Sequence, residues 1–357
     1  MNPTRGAELP VTIESIGYGG AGIGRLPDGR VCFVHGTLPG ERVLVRIVKE
    51  KKNHAEGEVV RVLEASLRRV TPKCPVYGEC GGCALQHADY DLQLEIKTSQ
   101  VRDLLRRFAK IQQAPVAPMI ASPLQWNYRN RISVHLDRQR IGFHHRKSHH
   151  IVDIASCPLA TEAVNSRLAD LRAHPPRDKS RLTLRETTGA VGFSQVNERA
   201  AEALAATVVE MAGSGKFLVD AYCGSGFFAK RLISRFDQIT GLEWSQPAIA
   251  EARRDASPNE TYLPGAVENS LAGVLSDAPL AETTLLIDPP AEGLSPDVAR
   301  TILENPPARI VYVSCDPATF SRDTAKFMER YTLTRVQPVD MFPQTAEIEL
   351  AAQFLIA

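Results

Sequence analysis

The chain has 357 residues, enough for two or three domains with an ample core. Its 42 Lys and Arg against 41 Asp and Glu leave a net charge of +1, which excludes a uniformly basic nucleic-acid binder. No apolar run reaches membrane-spanning length and no secretory leader is recognisable, so a cytoplasmic protein is expected. Cys32, Cys74, Cys80, Cys83, Cys157, Cys223 and Cys315 make an odd set of seven. In a reducing compartment their clustering suggests a metal site plus reactive thiols rather than disulfides.

From about residue 10 to 64 the pattern is of short strands broken by glycine. Val11–Ile16, Val31–Val34, Glu41–Val48 and Ala55–Leu63, with the glycine-rich 17–24 run, suggest a small barrel of the OB type. Such barrels often bind single-stranded nucleic acid, and Arg42, Arg46, Lys49, Lys51 and Lys52 could supply phosphate contacts. A solvated charged face explains the same residues. Cys32 lies in an apolar strand and reads as core.

Cys74, Cys80 and Cys83 follow within ten residues, with glycines that let the backbone fold around a ligand. Cys157 offers a fourth thiolate. Four soft thiolates suit tetrahedral zinc or an iron–sulfur cluster, and spacing alone does not choose. The first gap of five residues is too wide for the Cys-x3-Cys-x2-Cys run of radical enzymes. The stretch 89–110 has the apolar spacing of an amphipathic helix, and Pro115, Pro118 and Pro123 read as a linker.

Between Trp126 and His150 stand Arg129, Arg131, Arg138, Arg140, Arg146 and Lys147 against the single acid Asp137. Aromatic residues and five histidines are interleaved on two predicted strands, Ile132–Leu136 and Arg140–Phe143, which suits phosphate contacts and base stacking. A helix is expected over Thr161–Ala173, then a polar stretch.

The last region begins a doubly wound α/β pattern. Phe217–Ala221 runs into the loop Tyr222-Cys223-Gly224-Ser225-Gly226, with a helix expected over Phe227–Phe236. Ile239–Glu243 is a second strand whose terminal carboxylate is placed to accept bonds from ribose hydroxyls. Leu285–Ile287 ends at Asp288. The β-branched run Ile310–Val313 ends at Ser314-Cys315 and is stopped by Pro317, which delivers a thiol to the carboxyl edge of a parallel sheet. A lone cysteine there is either a buried core residue or a nucleophile. Ala351–Ile356 reads as the closing strand.

With these pieces together the chain resembles the RNA uridine-5 methyltransferases, most of all the 23S ribosomal RNA type with a TRAM barrel and an iron–sulfur cluster. The resemblance rests on the four cysteines, on Phe193-Ser194-Gln195-Val196-Asn197, on Tyr222-Cys223-Gly224, on Ser314-Cys315-Asp316-Pro317-Ala318-Thr319, and on Asp340–Thr345 with Glu349. It implies three regions: a TRAM barrel over 1–65, a central α+β iron–sulfur and RNA-binding domain over 66–188, and a Rossmann-like methyltransferase domain over 189–357. It also implies that the 89–110 helix packs with the catalytic domain.

The resemblance assigns a 4Fe–4S cluster to Cys74, Cys80, Cys83 and Cys157, and S-adenosylmethionine to Gln195, Tyr222, Gly224, Gly226, Glu243 and Asp288. Cys315 becomes the nucleophile and Glu349 the base, with RNA as partner. Asp316 stands where the family usually has Asn, Ala291 where Arg is common, and Glu347 where a His is typical. Phe227 and Ala266 replace polar residues. Carbon 5 of uracil is too weak a nucleophile to take a methyl group unaided, whereas thiolate addition at carbon 6 makes it an enolate carbon. The same reaction on transfer RNA uridine 54, and a non-catalytic RNA-binding factor, are the competing expectations.

Overall fold

The computed structural model describes residues 5–137, 140–176, 178–187 and 195–357. Arg138, Phe193 and Ser194, singled out above, lie outside the described residues. The chain divides into two compact units: 1–100 with 124–188 and 342–347, and 101–123 with 189–341 and 348–357.

The first unit opens with β1 (Glu8–Ile16), β2 (Ala21–Arg25), β3 (Val31–His35), β4 (Arg42–Glu50) and β5 (His54–Glu64). They close into a barrel in the order β1-β2-β3-β5-β4, in which only β3 and β5 run parallel. Period-two alternation turns Val11, Ile13, Val34, Val43 and Val45 inward, and Cys32 sits among them as a core residue. Helix α1 (Tyr90–Leu104) adds Leu92 and Ile96 to this core. Gln93 of α1 holds the returning C-terminal segment by a reciprocal pair, donating to Gln344 Oε1 at 3.0 Å and accepting from Gln344 N at 3.0 Å.

A four-stranded sheet completes the unit, built from β6 (Arg131–Leu136), β7 (Ile141–His144), β8 (Ile151–Asp153) and, after α2 (Glu162–Ala173), β9 (Arg181–Arg185). Its order is β8-β7-β6-β9. Thr161 caps α2, and Val164 and Leu168 of that helix pack on Ile132, Val134 and Leu136. The polar composition of 175–181 hid β9, which is half-exposed and alternates Arg, Leu, Thr, Leu, Arg.

In the second unit α3 (Glu198–Ala212) leads into β10 (Gly215–Ala221), and α4 (Ala229–Leu232) into β11 (Phe236–Glu243). Helix α5 (Gln246–Arg254) precedes β12 (Glu260–Pro264), and α6 (Val267–Asp277) precedes β13 (Thr283–Ile287). Helix α7 (Pro296–Glu304) precedes β14 (Arg309–Ser314), and α8 (Pro317–Phe327) is followed by β15 (Tyr331–Val339) and β16 (Glu349–Ile356). The sheet order is β12-β11-β10-β13-β14-β16-β15, parallel through β14, with β16 antiparallel to both its neighbours. The chain moves outward from β10 to β12 and then crosses back to β13, so the topological switch lies between β10 and β13.

Two expectations are corrected here. The helix expected over Phe227–Phe236 is only α4 plus a 3₁₀ turn at Ile233–Arg235, because β11 already starts at Phe236. The proline-bearing segment near 115–123 is not a free linker. Val116 and Ile120 bridge in parallel to Val336 and Val339 of β15, where prolines cost nothing on a sheet edge. The residues just after α1, Leu105–Ala109, form a π turn that packs on α8, so the 89–110 stretch is shared between the two units.

Beneath the sheet, Phe354 lies fully buried with its ring 5.5 Å from Phe327 and 6.3 Å from Phe320 of α8. Phe354→Ala is expected to cost about 3–5 kcal/mol in urea unfolding, as an uncollapsed aromatic cavity does. An unchanged midpoint would show that α8 is held by something else.

Candidate active site and a cysteine-lined cavity

Strand ends at the switch point build the first site. After β10 the chain turns sharply: Tyr222 has φ +66°, Gly224 φ +54° and Gly226 φ +82°. A tyrosine in the left-handed region is uncommon and marks a turn fixed by its surroundings. Glu243, at the end of β11, accepts from Gly224 N at 3.2 Å and from Ser245 N at 2.8 Å. It thereby clamps the loop with one oxygen and the start of α5 with the other. A Cβ on Gly226 would lie 2.7 Å from the Tyr262 hydroxyl, so glycine is required by space as well as by φ.

These ends enclose a cavity of about 540 Å³ lined by Gln195, Tyr222, Gly224, Glu243 and Asp288, among others. A Cβ on Gly224 would meet nothing within 4 Å, so the space beside its α-carbon is open. Asp220, fully buried below the loop, has neither oxygen hydrogen-bonded. Burial first, then the charge of Asp288, pushes its carboxyl well above the ordinary range. Burial also raises Asp288, to about 7. Sequence reasoning missed Trp244, which is 74% exposed and lines the cavity next to Glu243. Its only sequence signal is its position one residue past the strand-end acid. Cys223 is buried beneath the loop, as a structural residue.

Cys315 follows β14 directly and is exposed. Asp316 caps α8, accepting from Ala318 N at 2.9 Å and Thr319 N at 2.8 Å, a task that Asn performs equally well. The β14–β16 register pairs Val313 with Ala351 and Ser314 with Leu350, so the next position outward sets Cys315 opposite Glu349. Glu349 is 7% exposed. Partial burial, then the carboxylates of Glu349 and Asp288, push the Cys315 thiol up to about 12. The nucleophile candidate and two carboxyl groups therefore share one electrostatic environment.

In the first unit, Cys74, Cys80, Cys83 and Cys157 all line one cavity of about 70 Å³, together with Gln86, Arg129 and Leu159. Burial raises the thiols of Cys74 and Cys80 and carries that of Cys83 to about 12. Among the described residues, no three His, Cys, Asp or Glu side chains converge tightly enough to hold a single metal ion.

The basic window between Trp126 and His150 is taken apart by the fold. Arg129 is no surface phosphate ligand: it lines the cysteine cavity, lies over the rings of Tyr128 and Phe342, and pairs with Glu347 at 3.4 Å. Arg146 donates to Cys83 O at 2.7 Å, Lys147 pairs with Glu58, and Arg140 rests on His150. Glu347 precedes β16 and is exposed, whereas Glu349 is the first residue of β16 and is buried.

Residues 3–60 match the TRAM domain and residues 270–355 match the tRNA (Uracil-5-)-methyltransferase family. An uncharacterized RNA methyltransferase of Bdellovibrio bacteriovorus is 32% identical, over 99% of this chain and 96% of that protein. One from Synechocystis is 30% identical, over 97% and 95%. The chain belongs to the RNA (uracil-5) methyltransferase family. Its architecture is also that of the Pyrococcus abyssi tRNA (uracil-54, C5)-methyltransferase solved with S-adenosyl-L-homocysteine. That structure aligns with a TM-score of 0.73 at 23% identity, over 97% of this chain and all of that one. This uracil-5 methyltransferase accordingly uses S-adenosylmethionine as methyl donor and RNA as substrate. Gly224→Ala, which puts a methyl group toward the open cavity, is expected to weaken S-adenosylmethionine binding about tenfold in calorimetry. Unchanged affinity would place the cofactor elsewhere.

Proposed function

We propose that this enzyme methylates carbon 5 of a uridine in 23S ribosomal RNA through a covalent bond between Cys315 and uracil carbon 6. The observation that carries the reading is the register that sets Cys315 opposite Glu349 at the mouth of the sheet, with Asp288 close enough to raise the same thiol. Gln195, Tyr222, Gly224, Gly226, Glu243 and Asp288 would hold the cofactor, Glu243 facing the ribose and Trp244 the adenine. Bound there, S-adenosylmethionine supplies an electrophilic methyl group.

Because its thiol is raised to about 12, Cys315 keeps its proton at neutral pH until the base is in place. The sulfur then bonds to carbon 6 as its proton passes to the neighbouring Asp288 carboxylate, which returns it to the sulfur on elimination, and the carbon 5–carbon 6 π pair moves to carbon 5 and the carbonyl oxygen. Carbon 5 takes the methyl group. Glu349 removes the proton from carbon 5, the carbon 6–sulfur bond breaks, and both the pyrimidine and Cys315 are restored. The uracil has to be unstacked to reach an exposed thiol at a sheet edge.

The step that needs the base is separable from those that do not. Glu349→Gln is expected to accumulate an RNA–protein adduct that survives denaturing electrophoresis and depends on S-adenosylmethionine, whereas Cys315→Ala forms none. Trapping by Glu347→Gln with normal turnover of Glu349→Gln would reverse the assignment. Mapping 5-methyluridine in RNA from cells lacking the protein tests the substrate, and loss confined to transfer RNA would replace 23S RNA by uridine 54.

The cysteine cavity supports a second part of the proposal, a 4Fe–4S cluster on Cys74, Cys80, Cys83 and Cys157. What supports it is that all four thiols line one cavity, as the four thiolate ligands of such a cluster would. The methyl transfer moves no electron, so the cluster's role would be to tie the 74–83 loop to residue 157. Anaerobically purified protein is expected to carry about four irons and four sulfides per chain. Stoichiometric zinc without sulfide would overturn it.

A further inference from the structure

One face of the four-stranded sheet is covered by α2, and the other carries an array in which residues of the basic window on β6 are joined by β9, which lies outside it. On β6, Arg131, Ser133 and His135 alternate with the core residues Ile132, Val134 and Leu136. On β9, Arg181, Thr183 and Arg185 alternate with Leu182 and Leu184. The register pairs Arg131 with Arg185, Ser133 with Thr183, and His135 with Arg181. The outer face is therefore a ladder of three rungs, two of them cation against cation or imidazole, with a hydroxyl rung between. The hydroxyls of Ser133 and Thr183 lie 2.8 Å apart. Two residues along a strand span about 7 Å, so the outer rungs are about 13 Å apart.

Beside the ladder, β7 places Gly142 opposite His135, and with no side chain there His144 folds against His135 at a ring separation of 3.8 Å. His149 closes on His144 at 5.3 Å, edge to face. Neither β6 nor β9 contains an acid. Among the described residues neither Arg181 nor Arg185 forms an ion pair with a carboxylate.

Like charges directly across a strand pair destabilise a sheet. The fold keeps one such rung, Arg131–Arg185, on an open face, and two residues beyond the hydroxyl rung it sets Arg181 beside the His135 imidazole, while most cations of the Trp126–His150 window are engaged by protein groups. An array of that kind becomes favourable only when an anion sits across it, and a polyanion with regularly spaced charges fits a ladder better than a single ion. We propose that the outer face of β6 and β9 binds the phosphate backbone of the RNA substrate, with Arg131–Arg185 and Arg181–His135 on alternate phosphates of the strand and the Ser133–Thr183 rung at the nucleotide between. The stacked imidazoles of His135 and His144 form a flat edge on which an unpaired base can lie. This rests on the reading of the enzyme as one that acts on RNA, and it locates the contact on the paired outer faces of β6 and β9.

The test uses the full chain and a fluorescein-labelled oligouridylate, with binding followed by anisotropy across a salt series. Arg181→Ala/Arg185→Ala is expected to weaken binding at least tenfold. It should also lower the slope of log affinity against log salt by about 1.4, two single-strand phosphate contacts. Arg181→Lys/Arg185→Lys should keep the slope. Free of RNA, the alanine pair should melt no lower than the unaltered enzyme, because it relieves repulsion. Unchanged affinity and slope in the alanine pair, or a lowered melting temperature with unchanged affinity, would overturn the proposal and make the arginines structural. If the unaltered enzyme binds no RNA and methylates none, the reading of the whole enzyme fails instead, and the two failures are thereby distinguished.

Discussion

The site depends on one constraint, the antiparallel insertion of β16 between β14 and β15. A parallel strand at that position would bring its own carboxyl end to the rim, and the N-terminal residue of β16 would lie at the far edge. Running the other way, β16 starts at the rim with Glu349, next to the residue that leaves β14, Cys315. Cys315 and Glu349, the proposed nucleophile and base, come from chain segments 34 positions apart in number, and this pairing makes them neighbours.

The same rim carries an unusual density of acids. Asp220 and Asp288 end or follow parallel strands with raised carboxyls, and Glu243 is spent on two backbone amides. Burial first, and then the neighbouring carboxyls of Glu349 and Asp288, make the Cys315 thiol hold its proton. The rim is also an environment that favours a cationic ligand, and a sulfonium is one. The electrostatics that make the free enzyme a poor nucleophile therefore suit the cofactor that its reaction requires.

The first unit solves a different problem. Its barrel and small sheet each have a conventional apolar interior, but their polar residues are arranged in two distinct ways. Arg129, Arg146 and Lys147 are engaged by carboxylates, carbonyls and rings, where they fix the cysteine cavity and the barrel to the sheet. Among the described residues the arginines of β9 form no ion pair with a carboxylate. Neighbours in sequence thus part company: Arg129 serves structure, while Arg131 joins basic residues from a distant strand.

The sequence by itself determined the barrel and the doubly wound sheet, and named the residues from which the active site is proposed. Period-two alternation, strand-end acids, the turn at Tyr222–Gly226 and the arrest of a β-branched run at Cys315 are all local signals with local physical causes. What only the tertiary structure decided is who faces whom. Whether Glu347 or Glu349 accompanies Cys315 could not be read from an extended run, because alternation gives both the same face, whereas strand register and the Arg129 pair separate them. Arg129 and Arg131 look alike two residues apart, yet one lines a cavity and the other lies on an open sheet face. β9 and the pairing of residues 116–120 with β15 were hidden by polar and proline-rich composition. Pairing across a sheet is a long-range choice, made by whichever partner strand satisfies the backbone, and a single strand's composition does not encode it.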